Sequence, residues 1–214
     1  YKSEKDVYSL DVETLTWKKY ISQGDMPNVE QDGELEYFNG SLYFFGGRDQ
    51  DITNDDRLYQ FDFGKSSWSA HSATNPPILR SLFGAVMHEG YFYVLPGWDD
   101  HEKVDVFDIK RINLESQLIS WENVASEQLL ENQLSLLRDS YASDIGNGAI
   151  YFACGYDDKG GISNNLVKFN LTDREHPVVT LTQSGRVPSL RKNHSAFPIG
   201  SKIYIFGGTD NQGK

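Results

Sequence analysis

The chain has 214 residues, a formal net charge of −11, and 12 tyrosines, 12 phenylalanines and 4 tryptophans. A negative field of this size repels phosphate groups, so we expect no nucleic acid partner and no anionic membrane partner. No apolar run approaches the roughly 18 residues of a membrane span, and the single cysteine, Cys154, excludes an internal disulfide and fits a reducing, cytoplasmic compartment.

The predicted elements begin with an alternating run at 6–17, DVYSLDVETLTW, which ends at Trp17. Further along the chain, four short apolar runs each end in glycine, as is typical of strands that lead into tight turns. These runs are SLYFFGG (41–47), YFYVLPG (91–97), AIYFACG (149–155) and KIYIFGG (202–208). Their last glycines, at intervals of 50, 58 and 53 residues, are Gly47, Gly97, Gly155 and Gly208. Intervals of this size indicate a repeated structural unit.

Two further features recur in the same phase. Seventeen residues before the last glycines stand Glu30, Arg80, Arg138 and Arg191. After a polar loop, the first three glycine runs are followed by the alternating runs RLYQFDF (57–63), KVDVFDI (103–109) and NLVKFNL (165–171). Trp68 and Trp121 come next in the first two units, whereas PVVTLT (177–182) takes this place in the third. Each unit is therefore predicted to contain four short strands, and neighbouring units must stack to cover their apolar faces.

The longest stretch between predicted strands is ASEQLLENQLSLLRDS (125–140). Leu129, Leu130, Leu134 and Leu137 have helical spacing within it, and Ser126 stands where it can cap a helix. We expect a short helix that packs on the body of the protein rather than one that binds a partner.

The stretches RKNHSAFPIGSKIYIFGG (191–208) and DVYSLDVETLTW (6–17) together resemble nearly one full kelch repeat, the four-stranded blade of a β-propeller. The segment SGRVPSLRKNHSAF (184–197) is more similar to kelch repeats of the Rab-effector and cell-polarity type than to those of BTB adaptors. The resemblance covers essentially the whole chain, with departures at Glu30, Pro96 and Cys154. It implies an all-β fold, a kelch-type β-propeller of four-stranded blades.

On this interpretation, three whole blades at 29–79, 80–137 and 138–190 are flanked by two half blades. Residues 1–28 supply strands three and four of a blade, and residues 191–214 supply strands one and two. Together the halves make one repeat, so the ends could close a four-bladed ring, which would leave no exposed sheet edge. The resemblance implies six or seven blades as the usual number, so we favour part of a larger propeller and keep the closed ring as the alternative.

The first candidate site consists of Arg80, Arg138 and Arg191. Their position before the first strand resembles that of the channel-mouth arginines with which some kelch domains hold acidic peptides or carboxylates. Guanidinium groups suit such bidentate binding. The alternative is structural, with each arginine paired to an acidic side chain of a neighbouring blade. In a chain with 31 acidic residues we favour the structural alternative.

The second candidate site consists of the loops that follow the glycines. The residues predicted to bind a partner there are Arg48, Asp49, Asp51, Trp98, Asp99, Asp100, Tyr156, Asp157 and Asp158. Their aspartates would make one end of the channel acidic and suit a basic partner segment, with the two aromatic residues as anchors. The alternative is a set of solvated turns, in which Asp is common. The stretch DQDITNDD (49–56) lacks the glycine and the terminal glutamate of a calcium-binding EF-hand loop.

No catalytic triad, phosphate-binding loop or metal-ligand spacing is recognisable in the sequence. We therefore predict a non-enzymatic scaffold or adaptor, without metal or cofactor, that binds a segment of a protein partner through its propeller loops. One alternative is an enzyme similar to the sugar-acid mutarotases or isomerases, with a small molecule in the channel. Another is a structural subunit of a cytoskeletal or ciliary assembly.

Overall fold

The computed structural model describes residues 5–29, 31–48, 55–116, 119–125, 130, 139–156, 160–173, 175, 177–210 and 212. Regular structure in these ranges is almost entirely β-strand, which confirms the predicted all-β fold. The strands are β1 (Val7–Asp11), β2 (Thr16–Tyr20), β3 (Gln23–Gly24), β4 (Glu34–Phe38), β5 (Ser41–Phe45), β6 (Leu58–Asp62), β7 (Ser67–His71), β8 (Ala85–His88), β9 (Tyr91–Val94), β10 (Gly97–Asp99), β11 (Val104–Val106), β12 (Ile109–Asn113), β13 (Trp121–Ala125), β14 (Tyr141–Asp144), β15 (Ala149–Ala153), β16 (Leu166–Asn170), β17 (Val178–Thr180), β18 (Lys192–Ile199) and β19 (Lys202–Thr209).

The strands form three large sheets and two terminal hairpins that repeat one pattern. Strands β4 to β7 form the first sheet, β8, β9, β12 and β13 the second, and β14 to β17 the third. Within each sheet these four strands are antiparallel neighbours in chain order, and β3 adds a short parallel edge to the first sheet. The N-terminal hairpin (β1–β2) and the C-terminal hairpin (β18–β19) are separate two-stranded sheets. Sheets of this kind confirm the four-stranded blades of a kelch-type propeller.

The first strands of successive units lie side by side along one edge of the stack. Strand β4 contacts β8, β8 contacts β14, and β14 contacts β18. Apolar faces of the sheets meet between these units and form the core. Phe45, Leu58, Phe92, Ile112 and Trp121 fill the space between the first and second sheets. Val86, Tyr93, Ile150, Phe152 and Phe169 fill the space between the second and third.

The repeated tryptophan of the fourth strand joins each sheet to the one before it. Trp121 lies opposite Ile112 in the register, and its ring centroid is 5.3 Å from that of Phe45 in the first sheet. Trp68 has the corresponding place opposite Phe61 and packs toward the N-terminal hairpin. In the third sheet, β17 occupies this place without a tryptophan. The tryptophan is therefore a contact between blades rather than part of a binding surface.

The third strand of the second sheet differs from the sequence prediction. The prediction that 103–109 forms this strand is wrong, because β12 takes its place and β11 pairs with β10 in a small hairpin of its own. Burial explains the difference, since Ile109 and Ile112 are buried between sheets whereas Val104 is 50% exposed. Two alternating runs are adjacent here, and periodicity alone does not decide which of them enters the sheet.

The third strands end at an Asp or Asn, and the side chains of Asp11, Asp62 and Asn113 cap the turns that follow. Asp62 accepts backbone N–H bonds from Gly64 and Lys65 at 2.8 and 3.1 Å. Asp11 and Asn113 accept bonds of the same kind from the backbone two residues further on, at 3.0 and 2.8 Å. These turns lie at the end of the sheets opposite the loops that follow the glycines.

The predicted helix at 125–140 lies outside the described residues, except for its first residue, Leu130 and the last two. Leu130 is helical and completely buried, in the core between the second and third sheets. A buried leucine at this point agrees with a segment that packs on the body of the protein.

Candidate functional site

The loops of both predicted sites meet at one end of the sheets. The first two strands of each sheet are antiparallel, so the residues before the first strand lie beside those after the second. Gln31 accordingly forms a bridge with Arg48, and Ser81 forms one with Trp98. We call this surface the loop end; it comprises residues 31–33, 46–48, 80–83, 96–100, 139–140, 154–156, 191–194 and 207–209.

The glycine and arginine positions recur together because the backbone of one unit bonds to the arginine of the next. The N–H of Gly47 donates to the carbonyl of Arg80 at 3.0 Å, and the N–H of Gly155 donates to that of Arg191 at 2.9 Å. Gly47 has a φ of 86°, and a Cβ there would lie 2.5 Å from Cγ1 of Val29. A side chain at this glycine would therefore force the loop end apart.

Cys154 stands at the first-glycine position of the third unit. Its φ is 63°, close to the 69° of Gly46 and the 72° of Gly207 at the equivalent positions. The side chain is buried, and this burial raises the pKa of the thiol. Cys154 is therefore a packing residue rather than a reactive thiolate at neutral pH.

Arg80 is buried and bonded within its own sheet. Its side chain has 0% exposure, and the guanidinium pairs with the carboxylate of Asp108. Nε donates to the carbonyl of Ile78 at 2.8 Å, and Nη1 donates to the carbonyls of Leu95 and Asp108, both at 3.1 Å. This arrangement matches the structural alternative, although the carboxylate comes from the same sheet rather than from a neighbouring one. Arg80 belongs to the frame of the loop end and not to its open surface.

Arg191 makes similar bonds at a more exposed place. Its Nε donates to the carbonyl of Ser189 at 3.1 Å, and its Nη1 donates to the carbonyl of Gly207 at 2.7 Å. Its Nη2 donates to the hydroxyl of Ser189 at 3.0 Å. Among the described residues, no carboxylate takes the place that Asp108 has beside Arg80.

Arg138 lies outside the described residues, so the ring of three arginines stays a prediction. A residue with left-handed backbone stands fifteen residues before the last glycine in three units, at Asp32, Leu82 and Asn193. In the third unit that residue is Asp139, sixteen residues before the glycine. One additional residue therefore separates the left-handed residue from the last glycine in the third unit.

Ion pairs connect the loops of the first and second sheets. Arg48 Nε lies 3.0 Å from Asp32 Oδ2, and its Nη1 lies 3.4 Å from Asp100 Oδ1. The hydroxyl of Ser81 also donates to Asp100. Asp99 caps a turn, accepting N–H bonds from the second and third residues after it at 2.8 and 3.0 Å. Asp99 and Asp100 are each only 8% exposed, so they stabilise the loops and are not displayed to a partner.

The two predicted aromatic anchors are partly accessible at the loop end. Trp98 lies in β10 and is half-buried. Tyr156 is also half-buried, and the ammonium group of Lys192 lies 4.6 Å from its ring centroid and bonds to its hydroxyl. The other predicted aspartates of these loops lie outside the described residues, namely Asp49, Asp51, Asp157 and Asp158.

A polar cavity of about 180 Å³ lies at the loop end, where the first strands begin. We call it the loop-end cavity, and all four described units contribute to it. Its polar lining residues are Asp32, Glu34, Asp139, Ser140, Asn193 and His194. Sequence reasoning missed these residues because they belong to neither a glycine run nor the arginine position. The available signal was an Asp or Asn near the start of a first strand, since these residues tolerate left-handed backbone.

The loop-end cavity is lined by acidic side chains whose protonation depends on burial. Burial, reinforced by Glu36 and Asp32, raises the pKa of Glu34 to about 7. Burial raises the pKa of Glu36, on the same strand, to about 7 as well. Burial and the charge of Arg191 lower the pKa of His194, so this ring is neutral at pH 7. A positively charged group in the cavity would favour the ionised form of Glu34.

Among the described residues, no group of three or more His, Cys, Asp and Glu side chains is placed to hold a metal ion. No helix in the same ranges is long and apolar enough to cross a membrane. One close histidine–carboxylate contact, 2.7 Å between His88 Nδ1 and Asp144 Oδ2, joins the ends of two first strands away from the loop end.

Stacked four-stranded sheets, glycines bonded to the next unit and a tryptophan between sheets define a kelch-repeat domain. A family model of the KLHDC2/KLHL20/DRC7 kelch-repeats domain matches residues 1–208. The chain therefore belongs to the kelch-repeat family, whose domains generally bind other proteins.

Curated relatives extend this assignment. The leucine-zipper-like transcriptional regulator 1 homolog of Drosophila melanogaster is 24% identical over 217 residues, which cover 95% of this chain and 21% of that protein. Kelch domain-containing protein 3 of Bos taurus is 23% identical over 212 residues, which cover 95% of this chain and 54% of that protein. A sulfolyase of Thlaspi arvense, N-(sulfonatooxy)prop-2-enimidothioate sulfolyase, is 29% identical over 98 residues, or 44% of this chain and 28% of the enzyme. The chain thus spans about half the length of the Bos taurus relative and about a fifth of the Drosophila one.

Proposed function

We propose that this kelch domain is a non-enzymatic adaptor that binds a segment of a partner protein across its loop end. The observation that carries the proposal is the loop-end cavity, to which four units contribute residues near the start of their first strands. A segment that crosses this point contacts several units at once, while the sheets act as a rigid scaffold. The buried single thiol agrees with action in the cytoplasm.

The lining of the cavity indicates a basic side chain in the partner. Glu34 and Asp139 supply carboxyl groups, Asp32 adds one that is paired with Arg48, and His194 is kept neutral. A Lys or Arg side chain would replace water in this cavity with charge-assisted hydrogen bonds. Tyr156, half-buried at the same end, offers an accessible ring beside such a segment.

The size of the cavity favours a side chain over a metabolite. Pockets for small-molecule substrates generally enclose about 300–1,000 Å³, whereas the loop-end cavity holds about 180 Å³. Of the proposed functions, binding of a protein segment is therefore better supported than catalysis on a sugar acid. The partial similarity to a plant sulfolyase covers less than half of the chain and does not change this preference.

Selection from a random peptide library displayed on phage tests the proposal. We expect the enriched peptides to contain Lys or Arg, because the cavity offers carboxylates. The double variant Glu34→Gln, Asp139→Asn should bind a synthetic peptide of enriched sequence roughly tenfold or more weakly than the unchanged domain does. Titration calorimetry measures both affinities.

Asp62→Asn is the matched control, because it removes a carboxylate at the opposite end while an Asn can still cap the turn. It should leave the peptide affinity unchanged. Enrichment of acidic or purely apolar peptides, or equal binding to the double variant, would contradict the proposed site.

A further inference from the structure

Glu34 and Glu36 lie on the same face of β4. Alternate residues of a strand point to one face, and Glu34, Glu36 and Phe38 are half-buried whereas the two residues between them are exposed. The half-buried face is turned toward the second sheet, because β4 contacts β8 and Glu34 lines the loop-end cavity together with Phe83. Residues two apart on a strand are separated by about 7 Å. Glu36 therefore lies one step further from the loop end than Glu34, below the cavity.

The repeat shows that packing does not require a carboxyl group at Glu36. The tyrosine four residues before the last glycine lies opposite Glu36 in the first sheet, and opposite Val86 and Ser143 in the second and third. Val86 and Ser143 are only 5 and 3% exposed, so the position is an interior one. A carboxyl group is costly at such a position. A residue that departs from its repeat in this way is expected to have a function.

Neither glutamate has a basic partner among the residues that the structure describes. Burial is the main cause that raises the pKa of each, and the charges that act on Glu34 are those of Glu36 and Asp32. Both of these charges raise the pKa of Glu34 further. The ionisation of one carboxyl group therefore opposes that of the other, and a proton is retained between them more readily than on an exposed glutamate.

The acidic and neutral groups around the pair do not relieve this repulsion. Asp139 adds a further carboxyl group to the loop-end cavity, and the ring of His194 is neutral at pH 7. Strand β5 brings Tyr43 opposite Glu36, and burial raises the pKa of its phenol, which is therefore uncharged as well.

The basic side chains of the described residues around the cavity are engaged elsewhere. Arg48 pairs with Asp32 at 3.0 Å, and Arg191 donates to main-chain carbonyls. The histidine of β8, His88, contacts Asp144 at 2.7 Å away from the loop end. The space beside Glu34 is therefore open to a positive charge from outside the domain.

We propose that Glu34 and Glu36 link partner binding to pH: at neutral pH the free domain retains a proton on this pair, and a Lys or Arg side chain that enters the loop-end cavity expels it. The inference rests on the proposed function, because the same cavity receives the basic side chain of the partner. The proton passes to water or buffer, and the negative charge left on the pair balances that of the partner. Binding thus exchanges one positive charge for another.

The affinity for a basic segment should therefore rise with pH. At about pH 6 the pair is protonated and the entering cation competes with the proton, whereas at about pH 8 the carboxylates are ionised before binding. A group with a pKa of about 7 is ionised roughly tenfold more completely at the higher of these pH values. We expect the affinity to rise by roughly the same factor.

Titration calorimetry with a synthetic Lys- or Arg-containing peptide of enriched sequence tests this linkage. The titration is performed at about pH 7 in phosphate and in Tris, whose ionisation enthalpies differ. The difference in binding enthalpy between the two buffers then gives the number of protons released. We expect about half a proton to one proton for each bound peptide.

Variants of the pair separate the linkage from binding itself. Glu36→Gln leaves the cavity lining intact but removes the repulsion, so Glu34 ionises at lower pH, and the number of released protons should fall by about half. The double variant Glu34→Gln, Glu36→Gln should release none and bind equally at about pH 6 and 8. Glu13→Gln, in an exposed turn, is the matched control and should retain the full pH dependence. Circular dichroism verifies that each variant keeps its sheets.

Failure of this inference is distinguishable from failure of the proposed function. A basic peptide that binds with equal affinity at about pH 6 and 8, and with the same enthalpy in both buffers, would overturn the linkage and leave the proposed function standing. Absence of basic peptides from the selection would overturn both. A pH dependence that persists in the double variant would assign the titration to another group and overturn the inference.

Discussion

The arginine before the first strand has a different environment in different units. Arg80 is enclosed and pairs with Asp108, which is 28 residues away in the chain. Arg191 makes comparable bonds to main-chain carbonyls but is partly exposed. The difference arises from the third strand, which brings a carboxylate to Arg80 within the second sheet. Removal of one partner from a buried ion pair lowers the free energy of unfolding, because the other charge is left buried and unpaired.

We predict that Arg80→Ala lowers the free energy of unfolding by about 3–5 kcal/mol, because Asp108 is left as a buried, unpaired carboxylate. Arg191→Ala, at the same repeat position, should cost less than about 1 kcal/mol because its bonds are solvent-accessible. Urea unfolding followed by tryptophan fluorescence measures both values. Equal losses in the two variants would show that the buried pair has no special role.

Glu34 makes stability depend on pH. Because the folded state raises its pKa from 4.5 to about 7, that state binds the proton more tightly than the unfolded chain. This contribution to stability is fully present below pH 4.5 and is lost as the pH rises to about 7.

We therefore predict that Glu34→Gln makes the melting temperature less dependent on pH between about 4.5 and 7 and raises it at about pH 8. The effect on the free energy of unfolding is up to about 1.4 kcal/mol for each unit by which folding shifts the pKa. Glu13→Gln, in an exposed turn, serves as the control. An unchanged slope in calorimetric melts of Glu34→Gln would show that this carboxyl is not the group responsible.

At the scale of strands, the fourth strand shows how one element depends on its neighbour. Trp17, Trp68 and Trp121 occupy the same repeat position, and each lies opposite an apolar residue of the third strand. Trp121 is 2% exposed because the first sheet covers it, whereas Trp17 is 67% exposed. The strand pattern is therefore identical, while the energetic contribution depends on the adjacent sheet.

We predict that Trp121→Ala lowers the free energy of unfolding by about 3–5 kcal/mol, since it leaves a large cavity between two sheets. Trp17→Ala should change it by less than about 0.5 kcal/mol, because this side chain is 67% exposed. Urea unfolding at low protein concentration compares the two variants. A large loss from Trp17→Ala in a monomer would mean that its own chain already buries the side chain.

Strand-level prediction succeeded where one alternating run stood alone and failed where two were adjacent. The glycine runs of all four units form second strands, as expected. In the second unit, Ile109 is shared by the predicted and the observed third strands, and only the neighbouring sheets select the later run. Long-range burial, rather than local pattern, decided that element.

At the scale of the whole molecule, a stack of sheets has an interior and two ends. The second sheet is covered on both faces, and several of its residues, including Phe92, Leu95 and Ile109, are 0% exposed. Each hairpin is covered on one face only. Stability is therefore expected to fall from the middle of the stack toward its ends.

We predict that amide hydrogen exchange is slowest in β9 and β12 of the second sheet and fastest in β1, β2, β18 and β19. The reason is that opening a terminal hairpin breaks one interface, whereas opening the second sheet breaks two. Mass spectrometry of a dilute sample gives the order directly. Uniform protection of all strands would mean that the terminal hairpins are covered as well.

The sequence by itself determined the repeated unit, its four strands and the kelch family. It could do so because glycines at turns, alternation along strands and Asp or Asn caps are local requirements that recur from unit to unit. For the arginine position it indicated two alternatives and favoured the structural one without establishing it.

Only the tertiary structure decided which residues face solvent. Arg80, Asp99 and Asp100 are charged in the sequence and buried in the fold, because partners from distant segments enclose them. Asp32 and Asp139 show no common motif, yet they line one cavity because first strands of separate units lie side by side. Contacts of this kind depend on how the sheets stack, and a local sequence pattern does not specify the stacking.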